Sequence, residues 1–189
     1  AAPQMLSTRL CQALRVLHDW FSCPFDICTA YLHADTREDE KYPIRMPEGL
    51  REYDENGDEL YGVLEKNLYG SPVASRRFSQ MRDEWILDVF NKDGWTGKQM
   101  DADPCLFKLI SPDGNVSFMV IHTDDCDLVC QSASDAPIIT EMFHKRFGIK
   151  LCDPSYMLGV NRKLTTHDDG THTLEMSQPD YYMLLGPSS

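Results

Sequence analysis

The chain has 189 residues, of which 42% are hydrophobic and 25% charged, which is typical of a globular protein and allows one sizeable core or one core with a small subdomain. Its 30 acidic and 18 basic side chains give a formal net charge of -12, which argues against a nucleic-acid-binding surface, since such surfaces are normally basic. Seven cysteines without a CxxC pair favour reduced, mostly buried thiols over disulfides or a zinc site. We expect neither a secretory signal nor a membrane span, because the sequence contains no apolar run of about 18 residues.

Hydrophobic periodicity and turn residues divide the chain into helices and strands. The helices are predicted at about 7–21, 73–91 and 134–147. The strands are predicted at about 23–30, 42–46, 60–64 and 105–110, in a hairpin over 116–131, and in a final pair at 156–164 and 171–176. This order is typical of an α+β fold whose helices lie on one face of an antiparallel sheet.

Three carboxylates occur in apolar strands, where burial makes a charge costly. Asp26 interrupts the run CPFDICTA, while Asp124 and Asp125 stand together at the tip of the hairpin VSFMVIHTDDCDLVCQ. A buried acid needs hydrogen bonds, an ionic partner or a metal ion; a simpler alternative is that Asp26 caps a turn after Pro24. If the two strands are neighbours, the three acids form a site for hard divalent cations. Spacing alone does not distinguish a polymerase from another metal-dependent phosphotransferase or nuclease.

Short motifs in a fixed order along almost the whole chain carry a resemblance to a known family. They are FDICTAYLHAD at 25–35, Tyr42 with MPEG at 46–49, LEKNLYG at 64–70, ADPCLF at 102–107, YMLGV at 156–160, and Leu174 with Ser177, Gln178 and Tyr181. In these segments the chain resembles the reverse transcriptase of copia-type LTR retrotransposons. No single motif is decisive, but their number and common order argue against coincidence.

The resemblance implies the palm of a right-hand polymerase, which is a ferredoxin-like or RRM-like antiparallel sheet. Residues 1–189 would form a single palm domain, in which about 32–72 supply part of the fingers. Most of the fingers, the thumb and the RNase H domain would lie outside this chain. Their basic surfaces would then explain the acidic balance of the palm.

The activity implied by the resemblance is RNA-directed DNA polymerisation, in which a primer 3′-hydroxyl attacks a deoxynucleoside triphosphate. Two Mg²⁺ ions, for which Mn²⁺ can substitute, would be bound by Asp26, Asp124 and Asp125, the last in a weaker or indirect role. Lys150 would be the general acid for pyrophosphate.

Other residues match family positions that contact the substrates. Tyr31 would lie under the incoming sugar and exclude a 2′-hydroxyl, Arg76 would face template or nucleotide, and His122 would back the primer end. The primer grip would comprise Tyr156, Met157, Leu158 and Gly159. Plainer roles stay open for three residues: Tyr31 as part of the core, Lys150 as a solvated charge, and Arg76 as half of a surface salt bridge.

The chain departs from the family at two places. His122 and Thr123 precede the acidic pair where the family has Tyr-Val, and Val73 replaces a glutamine. These departures motivate an alternative function, a catalytically degenerate or domesticated palm that serves as a structural or interaction domain. An unrelated metal-dependent phosphotransferase or nuclease is a third alternative.

The resemblance also implies partners and a location. The partners would be an RNA/DNA template–primer, deoxynucleoside triphosphates, and the remainder of a polyprotein that includes integrase and RNase H. No membrane would be involved. The location would be intracellular, in a cytoplasmic virus-like particle with passage through the nucleus.

Overall fold

A computed structural model describes residues 2–178, so Tyr181 of the last sequence motif lies outside the described residues. Within them the chain is α+β, as predicted. The helices are α1 (Met5–His18), α2 (Ala74–Val89) and α3 (Asp135–Phe147). The strands are β1 (Phe21–Ser22), β2 (Phe25–Ile27), β3 (Pro43–Arg45), β4 (Tyr61–Val63), β5 (Thr96–Met100), β6 (Asp103–Ile110), β7 (Val116–His122), β8 (Asp125–Cys130), β9 (Ile149–Leu151), β10 (Tyr156–Met157), β11 (Val160–Thr166) and β12 (His172–Ser177).

The described residues form two compact units, one of residues 2–28 with 84–178 and the other of residues 29–83. The first unit contains a seven-stranded sheet in the order β5-β6-β7-β8-β2-β9, with β1 also paired to β8. Every neighbouring pair in this sheet is antiparallel. The predicted hairpin over 116–131 is confirmed as β7 and β8, which lie at the centre of the sheet.

Helices cover both faces of this sheet. On one face, Phe143 of α3 contacts Phe25 of β2 with ring centroids 5.0 Å apart and Trp85 of α2 at 4.9 Å. On the other face, Cys11 of α1 packs in a buried cluster with strand residues that include Val129 of β8. The prediction that the helices lie on one face is therefore wrong. The physical reason is that the central strands are apolar on both sides, so each side has to be covered.

A separate three-stranded sheet in the order β10-β11-β12 belongs to the same unit. The predicted strand over 156–164 is in fact two strands, because the chain reverses at Leu158 and Gly159. Their φ values of 50° and 76° are both left-handed. Two such residues between the paired Met157 and Val160 make a two-residue turn of the type that suits a β-hairpin. We call residues Tyr156–Val160 the grip hairpin.

The second unit is built around a small strand pair. β3 pairs with β4 as predicted, and Gly57 takes a left-handed φ of 87° in the connection between them. Buried Asn67 donates its side-chain amide to the carbonyl oxygen of Ala34 at 3.0 Å and so joins two loops of this unit. Arg77 forms a salt bridge with Glu40, which is only 7% exposed.

Several short elements are not predicted by the sequence patterns. Strands β5 and β9 fall in segments predicted as connections, and β1 begins at Phe21, the last residue of the predicted first helix. The first helix ends at His18 rather than near residue 21, because Asp19 adopts a left-handed φ of 53° and Phe21 then pairs with Cys130. No disulfide joins the seven cysteines, all of which lie in the described part of the chain. No helix between residues 2 and 178 is long and apolar enough to cross a membrane.

Phe143→Ala should lower the free energy of unfolding by about 3–5 kcal/mol, because the buried ring contacts both the sheet and α2. Phe21→Ala is the matched control, since 46% of that side chain is exposed, and it should cost less than about 1 kcal/mol. Urea unfolding of the two variants measures the difference. Similar losses in both would contradict the proposed core.

Candidate active site

The predicted acids meet at one point of the seven-stranded sheet. Asp26 of β2 is directly opposite Asp125 of β8. Asp26 is also opposite Lys150 of β9, and Asp125 is opposite His122 of β7. Residues directly opposite in antiparallel strands project from the same face, with Cβ atoms about 4.5–5.5 Å apart. The sheet therefore carries a row of four side chains across four neighbouring strands: His122, Asp125, Asp26 and Lys150.

Asp124 lies in the tight turn beside this row. The turn consists of Thr123 and Asp124 between the paired His122 and Asp125. The backbone carbonyl of Asp124 accepts a hydrogen bond from the amide of Ile27 at 2.9 Å, which ties the turn to the end of β2. Thr123 has a left-handed φ of 56°, a costly conformation for a β-branched residue. The tip of the hairpin is thus held in a strained conformation next to the acids.

The acids repel one another. Burial raises the pKa of Asp26, the negative charges of Asp124 and Asp125 raise it further, and only the ammonium group of Lys150 opposes them. Burial likewise raises the pKa of Asp125, followed by the charge of Asp124, while His122 opposes the shift. The alternative that Asp26 caps a turn is wrong, since Asp26 is the middle residue of β2. Its environment instead favours a bound cation.

A cavity of about 620 Å³ opens in front of the row. Its lining includes Asp26, Asp125 and Lys150 together with the first four residues of the grip hairpin. Cys152 also lines the cavity, and the pKa of its thiol is raised by burial and by Asp26 and Asp125. Three predicted charged residues and the four positions of the predicted primer grip therefore line the same cavity.

The side chains fit Mg²⁺. Between residues 2 and 178, no three acidic, histidine or cysteine side chains already lie close enough to enclose a metal ion. Mg²⁺ does not require such a cage, because it keeps several waters and is usually held by one or two carboxylates together with substrate phosphates. Asp26, Asp125 and the adjacent Asp124 supply oxygen donors of this kind, and their mutual repulsion favours a divalent cation.

Two predicted substrate-binding residues belong to the second unit. Tyr31 lies in a short 3-10 helix, Ala30–His33, and its ring contacts Tyr69 with centroids 4.5 Å apart. Its ring also lies 6.4 Å from that of Phe78, so Tyr31 is part of an aromatic cluster. The guanidinium of Arg76 lies 3.2 Å from the carboxylate of Glu40, which is the salt bridge considered as its plainer role.

The sequence patterns missed one charged residue beside the site. Asp127 lies two residues after Asp125 in β8, projects from the same face, and is 1% exposed. Its carboxylate is paired with Arg162 of β11 at 2.8 Å. A signal was available, because a carboxylate between Cys126 and Leu128 in an apolar strand requires a buried partner.

No family model matches the chain, and no curated protein is significantly similar to it. The chemistry of the site therefore has to be inferred from its own side chains. Three carboxylates beside a lysine, at the edge of an open cavity, suit a phosphate-bearing substrate bound through divalent cations.

Asp26→Asn should stabilise the folded chain by about 0.2–1 kcal/mol near pH 7, because it removes a like charge opposite Asp125. The folded-state pKa of Asp26 lies above its ordinary value of 3.8, so the folded chain binds this proton more tightly than the unfolded chain. The charged Asp26 side chain therefore does not destabilise the wild type below pH 3.8. The loss of stability grows as the pH rises through the raised pKa of Asp26. Urea unfolding near pH 3 and near pH 7 measures both limits.

The control for this prediction is Asp168→Asn, in the exposed turn between β11 and β12. It should change stability by less than about 0.5 kcal/mol at either pH. A gain for Asp26→Asn that persists near pH 3, or a loss near pH 7, would show that the acids do not repel each other in the folded chain.

Proposed function

We propose that this chain is the palm, with part of the fingers, of a copia-type retrotransposon reverse transcriptase, an RNA-directed DNA polymerase. The observation that carries the proposal is the pairing of Asp26 with Asp125 across adjacent strands, with Asp124 in the adjoining turn. Asp26 is far from the other two acids in sequence and stands in the first motif of the resemblance, whereas Asp124 and Asp125 match the acidic pair of the family. The fold brings them together at the edge of a cavity that can admit a nucleotide and a primer end.

The order of elements around the acids supports a palm. Apart from β3, β4, β5 and β6, the chain passes through β2, α2, β7, β8, α3 and β9 in this order, and these four strands lie side by side as β9-β2-β8-β7. A strand–helix–strand–strand–helix–strand chain with this antiparallel order is the ferredoxin-like arrangement. In this proposal the residues between β2 and α2, including β3 and β4, correspond to the fingers.

The proposed reaction joins the primer to the incoming nucleotide. The 3′-oxygen of the primer forms a bond to the α-phosphorus of a deoxynucleoside triphosphate, the bond from that phosphorus to the oxygen that bridges the α- and β-phosphates breaks, and the hydroxyl proton passes to solvent. Asp26, Asp124 and Asp125 would hold two Mg²⁺ ions, which lower the pKa of the attacking hydroxyl and neutralise charge on the phosphates. The carboxylates fix the reacting groups on one face of the sheet.

Lys150 is the proposed proton donor to the leaving pyrophosphate. It is opposite Asp26 in the next strand, lines the cavity and is exposed at its edge. An ammonium group at this place can contact the β- and γ-phosphates while the carboxylates face the α-phosphate. It can then transfer a proton as the bond to pyrophosphate breaks and regain one from solvent.

The grip hairpin would hold the primer strand against the acids. Met157 is 3% exposed and anchors the hairpin, whereas Tyr156 is 49% exposed. His122 would back the primer end from the other end of the row. Tyr31 would contact the incoming sugar, and Arg76 would contact template or nucleotide. The partners proposed are therefore template–primer and deoxynucleotides, within a retrotransposon polyprotein that acts in a cytoplasmic particle.

The second candidate function is a catalytically degenerate palm that serves as a structural or interaction domain. The strained Thr123 and the imidazole of His122, where the family has Val and Tyr, favour it. The two candidates share a fold but differ in whether the acids bind metal and support synthesis.

Asp124→Asn should lower Mg²⁺-dependent primer extension on an RNA template at least about a hundredfold, a loss of about 2.7 kcal/mol of transition-state stabilisation. The reason is that the amide lacks the negative charge needed to bind the cation. The assay uses the full-length protein that contains this chain, and Asp168→Asn is the control. Equal extension by the wild type and the Asp124 variant would exclude the proposed site, and no extension by the wild type would favour the degenerate palm.

Tyr31→Val should raise the relative use of ribonucleotides, because the smaller side chain leaves room for a 2′-hydroxyl. The ratio of kcat/KM for ribonucleotide over deoxynucleotide should rise about tenfold to a hundredfold. Tyr31→Phe keeps the ring and should leave the ratio near the wild-type value. An unchanged ratio in Tyr31→Val would leave Tyr31 as a core residue of the second unit.

A further inference from the structure

A buried ion pair joins β8, which carries Asp125, to β11, which follows the grip hairpin. Nη2 of Arg162 lies 2.8 Å from Oδ2 of Asp127, and both side chains are 1% exposed. The side-chain amide of Gln12 donates to the same carboxylate oxygen at 3.0 Å. Three elements therefore meet at this carboxylate: α1, β8 and β11.

The two charged residues do not line the cavity themselves, but each lies close in sequence to residues that do. Asp127 follows Asp125, which lines the cavity, by two residues in β8. Arg162 follows Val160 by two residues in β11, and Val160 pairs with Met157 of the grip hairpin. The backbone amide of Arg162 also donates to the carbonyl of Ser155 at 2.6 Å, immediately before the hairpin. The ion pair thus joins the strand of Asp125 to the base of the grip hairpin.

Backbone pairing does not hold the hairpin in place. Over the residues that the structure describes, the three-stranded sheet and the seven-stranded sheet share no strand pairing. The position of the hairpin relative to Asp125 therefore depends on side chains and on the short connection from β9. Of these side chains, the guanidinium of Arg162 has the most defined direction, since its planar fork fixes the angle as well as the distance to a carboxylate.

The ion pair is poorly suited to a purely stabilising role. Buried ion pairs can often be replaced by apolar residues of similar volume without loss of stability. This pair is also incompletely hydrogen-bonded within residues 2–178, since Asp127 Oδ1, Arg162 Nε and Arg162 Nη1 have no partner. Such groups carry a desolvation cost that apolar side chains would avoid. Apolar side chains, however, would not fix the direction in which β11 is held against β8.

We propose that Asp127 and Arg162 are positioning residues, whose buried ion pair sets the distance between the grip hairpin and the acids Asp26 and Asp125. Neither residue contacts the substrates. Their effect on catalysis rests on the proposed polymerase function, but their effect on the hairpin does not. The two can be measured separately.

The test compares an apolar replacement with a conservative one. The triple variant Gln12→Leu, Asp127→Leu, Arg162→Met removes the polar cluster, and its urea midpoint should be no lower than that of the wild type. Arg162→Lys keeps the charge but removes the fork, so it remains informative if the triple variant does not fold. Lys163→Met is the control, because Lys163 is the exposed neighbour of Arg162.

Amide hydrogen exchange provides the readout that does not depend on activity. In both test variants the amides of residues 156–161 should exchange at least tenfold faster than in the wild type, while those of β8 stay unchanged. In primer extension, the KM for template–primer should rise about tenfold with a smaller change in kcat. Lys163→Met should alter neither quantity.

Wild-type exchange at residues 156–161 in the stable triple variant, or in Arg162→Lys if the triple variant does not fold, would overturn the proposal. Faster exchange in a chain whose wild type shows no primer extension would support the positioning role and count against the polymerase function. Faster exchange with unchanged KM in an active enzyme would overturn the catalytic part of the proposal.

Discussion

Asp26 and Asp125 are held opposite each other because the residues on either side of Asp26 are buried in the core. Phe25 and Ile27 are 0% and 1% exposed, and they face away from the acids. Burial of each side chain contributes about 1.5–3 kcal/mol. The repulsion between two opposed carboxylates costs about 0.2–1 kcal/mol. A shift of one residue would expose the apolar pair and bury Asp26. Core burial therefore fixes the register, and the register forces the acids together.

The other groups of the site follow from the same register. Pairing of β2 with β9 places Lys150 beside Asp26, and the β7–β8 hairpin places His122 beside Asp125. A cationic or titratable group thus flanks each carboxylate, but Asp124 adds a further negative charge. The helices α2 and α3 cover the opposite face, where they do not obstruct the acids. On the site face, four residues of the grip hairpin line the cavity beside the acids.

Local patterns predicted the strongest elements and the three acids. Turn residues and apolar runs were sufficient for β7, β8 and α3, since each depends on neighbours in sequence. The three-residue strand β9 was missed because so short a segment has no detectable periodicity. The pairing of β2 with β8 joins segments that are distant in sequence, so local periodicity could not predict it. The sequence supported only the conditional expectation that the three acids meet if these strands are neighbours. The roles of Lys150 and the grip hairpin came from the family resemblance, whereas the partner of Asp127 required the fold.

The central claim is that these carboxylates form a specific divalent-cation site rather than part of a diffusely acidic surface. Paramagnetic line broadening by Mn²⁺ in amide NMR spectra of the chain tests it most directly. The claim predicts that substoichiometric Mn²⁺ first broadens the amides of residues 25–27, 123–126 and 150, that Mg²⁺ reverses the effect, and that Asp26→Asn abolishes it. Broadening spread over the many exposed acidic residues, and unchanged in Asp26→Asn, would contradict it.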